Sequence, residues 1–290
     1  MRKFFKWVGI IAVTLVALLL IGYAVVWIST DSRINKQYSV QVKHMDLQAD
    51  SAMVAYGARL FNTQGCAECH GAQGEGRVFI NDPKVAVIGG SNITTGKGGL
   101  PAGFDDNAWL MALRHGLTPK GKPLMIMPSY DYAKLATYEL ASIVAYCKTL
   151  PAVDHEVPAP QVGPLGRVLT FFHKLPLVPA EETDHQYQPP AIVKKEVSPA
   201  YGKYLSITCT GCHQPDFKGG PNHQPGRPQV ANITSKGHLG QWTTDQFITT
   251  LRTGKTPEGK QLNNEDMPWK MTAQYTDDEL KALYLYLRSL

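Results

Sequence analysis

Two short runs constrain this chain more than anything else in it: Cys66-Ala67-Glu68-Cys69-His70 and Cys209-Thr210-Gly211-Cys212-His213. Each places two thiols about one helical turn apart, with histidine directly after the second. A lone C-x-x-C is a zinc half-site or a redox dithiol as readily as anything else. C-x-x-C-H is the attachment sequence for c-type haem, in which the two thiols add to the two vinyl groups of one porphyrin. The next residue then sits beneath the iron and offers an imidazole nitrogen as proximal ligand. Two copies, each at the head of a domain-sized segment, predict two covalently attached haem c groups, with Cys66, Cys69, Cys209 and Cys212 as attachment points and His70 and His213 as iron ligands. Cys147, the fifth cysteine, has no evident disulfide partner.

The segment Val8–Ile28 holds 21 residues without a charge. As a helix it would span about 31 Å, close to the roughly 30 Å of a hydrocarbon core. Trp7 and Trp27 bracket it as interfacial aromatics do, and Arg2, Lys3 and Lys6 precede it, which predicts a cytoplasmic N-terminus. A cleaved signal peptide would have a shorter apolar region ending in an A-x-A-like site, and none follows here. The expectation is a single-pass anchor in the cytoplasmic membrane, with the haem domains on the periplasmic side. With 29 Lys+Arg against 24 Asp+Glu, the net charge of +5 is too small for a polybasic nucleic-acid surface.

The halves repeat. Tyr56-Gly57 matches Tyr201-Gly202, Asn92-Ile93-Thr94 matches Asn232-Ile233-Thr234, and Leu113-Arg114-His115-Gly116 matches Leu251-Arg252-Thr253-Gly254. Thr118 to Lys122 matches Thr256 to Lys260, and Met127-Pro128 matches Met267-Pro268. Each copy reads as helices joined by long loops. Thr276 with Glu279, and Thr243 with Gln246, form capping boxes. Asp105 can cap the first copy's middle helix, and Gly116 and Gly254 stop the two middle helices. Leu280, Leu283, Tyr284 and Leu287 fall on one helical face, as do Leu140, Ile143, Val144 and Cys147, so Cys147 reads as a small buried hydrophobe. Helices are expected just before each haem motif, from about Ser51 and Ser198. The loops are rich in Gly, Asn and Pro and poor in β-branched alternation, and no sheet is expected.

The fold class is therefore all-α, with two tandem haem domains behind an N-terminal transmembrane helix. The expected division is 1–29 anchor, 30–50 link, 51–150 first haem domain, 151–197 connector and 198–290 second haem domain. Residues 151–190 carry eight prolines, the composition of an extended connector. The stretch Leu165 to Leu177 is apolar enough to pack as a strap along a domain surface.

Methionine is the leading candidate for the sixth iron position, Met127 in the first copy and Met267 in the second. A thioether is soft and neutral and raises the potential relative to a second imidazole. The following proline stiffens the ligand loop. Met125 and Met271 compete, but they lack that proline and break the repeat. Bis-histidine ligation stays open through His44, His115, His155, His173, His185, His223 and His238, for which surface or structural roles are expected. Asn92, Thr94, Asn232 and Thr234 are candidate donors to haem propionates; a repeated turn around a buried Ile is the plainer reading. Gly219-Gly220-Pro221, and more loosely Gly74 and Gly76, are candidates for close backbone approach to the porphyrin edge.

These residues resemble class I c-type cytochromes, one per half. In detail they are similar to the membrane-associated cytochrome c subunits of bacterial alcohol and sugar-acid dehydrogenases. Those subunits show a comparable run from N-I-T through L-R-x-G-x-x-P-x-G-x-x-L to M-P and a closing T-D-x-E-L, here Asn232–Thr234, Leu251–Leu262, Met267-Pro268 and Thr276–Leu280. The connector from Pro164 to Leu177 is also similar, and the resemblance covers about 51–290. This chain has two haem motifs where those subunits commonly have three, and it has a clear N-terminal span. The implied function is electron transfer by a membrane-tethered dihaem carrier. Its donor would be a quinol-oxidising complex or a periplasmic dehydrogenase, and its acceptor a terminal oxidase or a soluble cytochrome. The alternatives are a subunit of a dehydrogenase complex or a dihaem redox enzyme such as a peroxidase, which would need an open sixth position.

Overall fold

The computed structural model describes residues 1–42, 49–222 and 227–290; His44 and His223 lie outside them. Among the described residues the chain forms twelve α-helices and one small sheet. Contacts divide it into two compact units. The first holds 1–46, 69–134 and 151–187, and the second 47–68, 135–150 and 188–290.

Helix α1, Arg2–Ile34, opens the first unit and is long and apolar enough to cross a membrane, with its apolar window wholly exposed. It runs through the start of the expected link because no helix breaker intervenes before Asn35. Helices α2 (Ser51–Thr63) and α3 (Cys66–His70) follow. The expectation of no sheet is corrected here. Strands β1 (Arg77–Asp82) and β2 (Ala86–Gly90) pair antiparallel around a tight turn, and β2 pairs antiparallel with β3 (Gln161–Val162) from the connector. Alternation is hidden in the sequence by a register irregularity between Val78 and Ile80, by two glycines ending β2, and by the distance in sequence of the third strand. One face of β2 supplies Ala86 and Ile88 to a core with Met111, Leu117, Leu177 and Val178.

Helix α4 (Asp106–His115) starts with Asp105 accepting from the Ala108 amide and ends at Gly116 in the left-handed conformation. Helices α5 (Ser129–Tyr132) and α6 (Thr137–Cys147) complete the first repeat, and Cys147 is buried on α6. The connector is less extended than its prolines suggest. Pro164 occupies the first turn of helix α7 (Pro164–Phe171), where a missing N–H costs nothing, and α7 packs against α1.

The second unit joins α2 and α6 to α8 (Pro199–Leu205), α9 (Thr210–His213), α10 (Thr244–Thr253), α11 (Trp269–Thr272) and α12 (Asp277–Arg288). Both expected capping boxes form, at Thr243/Gln246 and Thr276/Glu279. The packing repeats. A Cβ on Gly57 of α2 would lie 1.8 Å from the Ser142 carbonyl oxygen of α6, and one on Gly202 of α8 would lie 2.0 Å from the Ala282 oxygen of α12. Only glycine permits either approach.

The two helix pairs are clasped reciprocally. Glu139 and Glu279, third residues of α6 and α12, are 4% and 5% exposed. Glu139 accepts from Tyr56 of its own repeat (2.8 Å) and from Tyr204 of the other. Glu279 accepts from Tyr201 of its own repeat (3.3 Å) and from Arg59 of the other, through both oxygens at 2.7 and 2.9 Å. Ala136 stands where Thr276 stands in the second repeat and has no hydroxyl to cap with. The Ala136 amide finds its acceptor in the Tyr204 hydroxyl at 2.9 Å, which takes the place the Glu279 carboxylate holds at the Thr276 amide and donates in turn to Glu139.

Candidate functional site

Both C-x-x-C-H runs are helical, Cys66–His70 as α3 and Thr210–His213 as α9 after a short 3₁₀ turn at Ser206–Cys209. Each helix is ended by a residue with positive φ, Gly71 at 79° and Gln214 at 66°. The chain then folds back identically. The Gly76 amide donates to the His70 carbonyl (2.6 Å) and the Gly219 amide to that of His213 (3.0 Å). Ile93 donates to Gly74 (2.8 Å) and Ile233 to Phe217 (3.0 Å).

This fold-back brings a carbonyl to each histidine. His70 Nδ1 lies 2.8 Å from the Ser91 oxygen, and His213 Nδ1 lies 2.8 Å from the Ala231 oxygen. A carbonyl only accepts, so Nδ1 carries the proton and Nε2 keeps its lone pair. Burial lowers both histidine pKa values, against the opposing backbone hydrogen bond, and keeps the rings neutral. A neutral imidazole with one nitrogen pinned by a backbone acceptor is the form that ligates iron. Burial likewise raises the thiol pKa of Cys209, to about 11, and that of Cys212. Among the described residues no group of three or more His, Cys, Asp or Glu side chains could hold a bare metal ion, so none of these residues completes a zinc site with either Cys pair. Two thiols, a pinned histidine and apolar surroundings fit a thioether-linked porphyrin.

The methionine loops are also superimposable in their bonding. Pro128 and Pro268 cap α5 and α11 at φ/ψ of −77°/62° and −75°/65°. Ser129 donates to the Met127 carbonyl and Trp269 to that of Met267, both at 2.7 Å. Arg114 donates to Ala133 O (2.8 Å) and Arg252 to Ala273 O (2.7 Å), so each middle helix grips the far end of the methionine turn. These arginines were visible in the repeated Leu-Arg-x-Gly, but only the fold gives them this role. In the second unit Cys209, Ile233 and Met267 pack against one apolar cluster with Phe217, Leu251 and Leu280. In the first, Met125 and Ile126 pack into the core around Met111 and Leu117, and Met127 is not part of it. Ile126 separates the two methionines with φ of 60°, a strained setting for a β-branched residue, held by its amide on the Leu177 carbonyl at 3.1 Å. The competitor Met271 sits against Gly65, its sulfur 3.7 Å from where a Cβ there would lie.

Asn92 and Thr94, the propionate candidates of the first repeat, are bonded within the chain. The Asn92 amide spends its two hydrogens on Val153 O (2.8 Å) and His155 O (3.1 Å), and its oxygen accepts from the Thr94 amide and hydroxyl. The pair is a clamp that ties the connector to the loop. Asn232 and Thr234 make the same turn, with Asn232 Oδ1 accepting from the Thr234 amide (2.9 Å) and hydroxyl (2.8 Å). The close glycine approaches are to backbone as well: a Cβ on Gly76 would lie 2.6 Å from Asn92 N, and one on Gly219 2.2 Å from Val230 O. Gly74 is left-handed at φ 75° and shares this fold-back through Ile93. Of the other histidines, His115 Nδ1 lies 3.1 Å from His185 Nδ1, and burial, with His185 and Arg114 nearby, lowers the His115 pKa to about 4. His155 bonds the Glu75 carbonyl, and His173 and His238 are exposed.

Paired haem-attachment helices, each with its histidine pinned and its Met-Pro turn, define a c-type cytochrome built twice. Residues 54–151 and 199–290 match the Cytochrome c family, and the chain belongs to it. It is a dihaem protein with two covalently bound haem c groups. It is 28% identical to the cytochrome c subunit of the quinone-type alcohol dehydrogenase of Gluconacetobacter polyoxogenes, over 83% of this chain and 57% of that one. The corresponding subunit of Gluconobacter oxydans is 24% identical, over 83% of this chain and 55% of its own. The chain thus spans little more than half the length of these relatives. A diheme cytochrome c-type protein of Cereibacter sphaeroides is 27% identical, over 80% of this chain and 84% of its own.

Proposed function

We propose that this protein is a membrane-tethered electron carrier in which each repeat binds its iron between histidine and methionine. Bound haem c supplies one-electron Fe(III)/Fe(II) chemistry. The protein's residues hold it: Cys66 and Cys69, and Cys209 and Cys212, as thioether points, His70 and His213 through Nε2, and Met127 and Met267 through sulfur. Asn232 and Thr234 in the second repeat are the candidates for a propionate contact that remain less tied, since Asn92 spends its amide on the connector. The observation that carries this reading is the repeated pair of a histidine bonded through Nδ1 to a backbone carbonyl and a methionine before a capping proline. With Met127 and Met267 as the sixth ligands, neither iron would keep a position open to substrate, which favours a carrier over a peroxidase-like enzyme. Anchoring by α1 in the cytoplasmic membrane, with both haem domains on the periplasmic side, raises the local concentration of membrane-bound partners. The donor is a quinol-oxidising complex or a periplasmic dehydrogenase, and the acceptor a terminal oxidase or a soluble cytochrome.

A redox titration of the purified protein with its optical spectrum tests the ligands. Met127→His and Met267→His should each lower one potential and remove one share of the iron–thioether charge-transfer band, while Met125→Leu and Met271→Leu should leave both. If neither histidine variant moves a potential, the sulfur assignments are wrong.

A further inference from the structure

Helix α7 is built inside out for a soluble surface. Its buried residues are Gly166, Arg167 and Thr170, small or polar. Its apolar residues face away. Leu165 and Phe172 are 48% and 62% exposed, Val168 and Leu169 are half-buried between them, and Phe171 meets Phe172 edge-on at 5.2 Å. Leu165, Val168, Leu169 and Phe172 fall at i, i+3, i+4 and i+7, which is one face of a helix.

The height of this face is set by α1. Arg167 stacks on the Trp27 ring, 3.7 Å from its centroid, and the Thr30 hydroxyl donates to the Arg167 carbonyl at 3.3 Å. Arg33 donates to the Thr170 carbonyl at 2.9 Å and pairs with Glu181 at 2.6 Å. Helix α7 therefore grips α1 from Trp27 to Arg33, beginning where the apolar run ends. Six residues of helix rise about 9 Å. The interfacial zone beyond each side of a hydrocarbon core is about 5–7 Å deep. The helix is also fixed from behind: a Cβ on Gly166 would lie 1.9 Å from the Val85 oxygen, in the β1–β2 turn.

We propose that α7 lies in the bilayer surface as a second membrane contact, with Leu165, Val168, Leu169 and Phe172 in the boundary between headgroups and acyl chains. The occupant of this face is lipid because α7 is held on Trp27, Thr30 and Arg33, where the wholly exposed apolar window of α1 ends, so a membrane crossed by α1 ends beside this face. The exposed Lys174 follows at the edge, where an ammonium reaches headgroups. A single spanning helix leaves a domain free to swivel, and a second contact made by a rigid element fixes which side of the first unit faces the membrane.

The inference rests on α1 being the span, and one experiment separates the two. The full holoprotein is reconstituted into vesicles of phosphatidylcholine and phosphatidylglycerol. It is photolabelled with a carbene precursor that partitions into acyl chains, and the adducts are mapped by peptide mass spectrometry. Leu285, an exposed apolar residue of α12, gives the background. The expected result is labelling of α1 and of residues 164–175 above the Leu285 level, with the 164–175 signal falling to that level in a Leu165→Asp/Phe172→Asp variant while α1 stays labelled. Labelling of α1 with 164–175 at background overturns the inference and leaves the anchor standing. Background labelling of both overturns the anchor and the inference with it. Strong 164–175 labelling that survives the double substitution refutes the assigned face.

Discussion

The Arg59–Glu279 pair is where one helix pair is most exposed to a single change in the other. Replacing Arg59 by Leu keeps an apolar stem but strands a carboxylate whose side chain is 6% exposed. Burial would by itself raise the Glu279 pKa. The hydrogen bonds from Arg59 and from the Thr276 amide, with the Arg59 charge, outweigh it and hold the pKa below the ordinary value. Breaking a buried pair by removing one partner costs about 3–5 kcal/mol. Arg59 is 27% exposed, and Tyr201 and the Thr276 amide remain on the carboxylate, so the expected loss is about 2–3 kcal/mol. The pH dependence gives the sharper test. A folded-state pKa below the unfolded one adds stability that is present above the unfolded value, about 4.3, and disappears as pH falls through the folded value. In Arg59→Leu burial dominates and the folded pKa moves above the unfolded one, so the deficit against the parent is largest near neutrality and narrows in acid. Urea unfolding of the detergent-solubilised holoprotein, read as a midpoint shift at constant slope, measures this. A deficit below about 0.5 kcal/mol at neutral pH, or one equal at pH values of roughly 4 and 7, would refute the reasoning.

Tyr204→Phe should cost about 1–3 kcal/mol in the same assay, because the Ala136 amide loses its acceptor and Glu139 one donor; a loss within about 0.5 kcal/mol would show that the hydroxyl is replaced. Gly202→Ala should destabilise by about 1–3 kcal/mol through the contact with Ala282 O, and Gly57→Ala by a similar amount through Ser142 O. Unchanged midpoints for both would mean that the helix pairs separate freely.

The site was legible to the extent that it is local. Thiols and histidine in one helical turn, the two capping boxes, the Asp105 cap and the glycine stops are all written within a few residues of where they act. What escaped depends on distant partners. Strand β3 comes from the connector, far from β1 and β2, and its two residues carry no periodicity of their own. Asn92 looked like a ligand to something outside the chain because Val153 and His155, which use its amide, lie on the far side of the first repeat. Proline count suggested extension, yet Pro164 sits where a helix tolerates it best. The start of α6 shows the same limit: Ala136 alone reads as a weak start, and the acceptor for its amide is supplied from the other repeat.

Peptide mass spectrometry of the mature protein, expressed with a working haem-attachment apparatus, tests the account most directly. The peptides containing Cys66–His70 and Cys209–His213 should each carry one thioether-bound porphyrin. Recovery of either peptide with two unmodified thiols would contradict the assignment of a haem to that repeat.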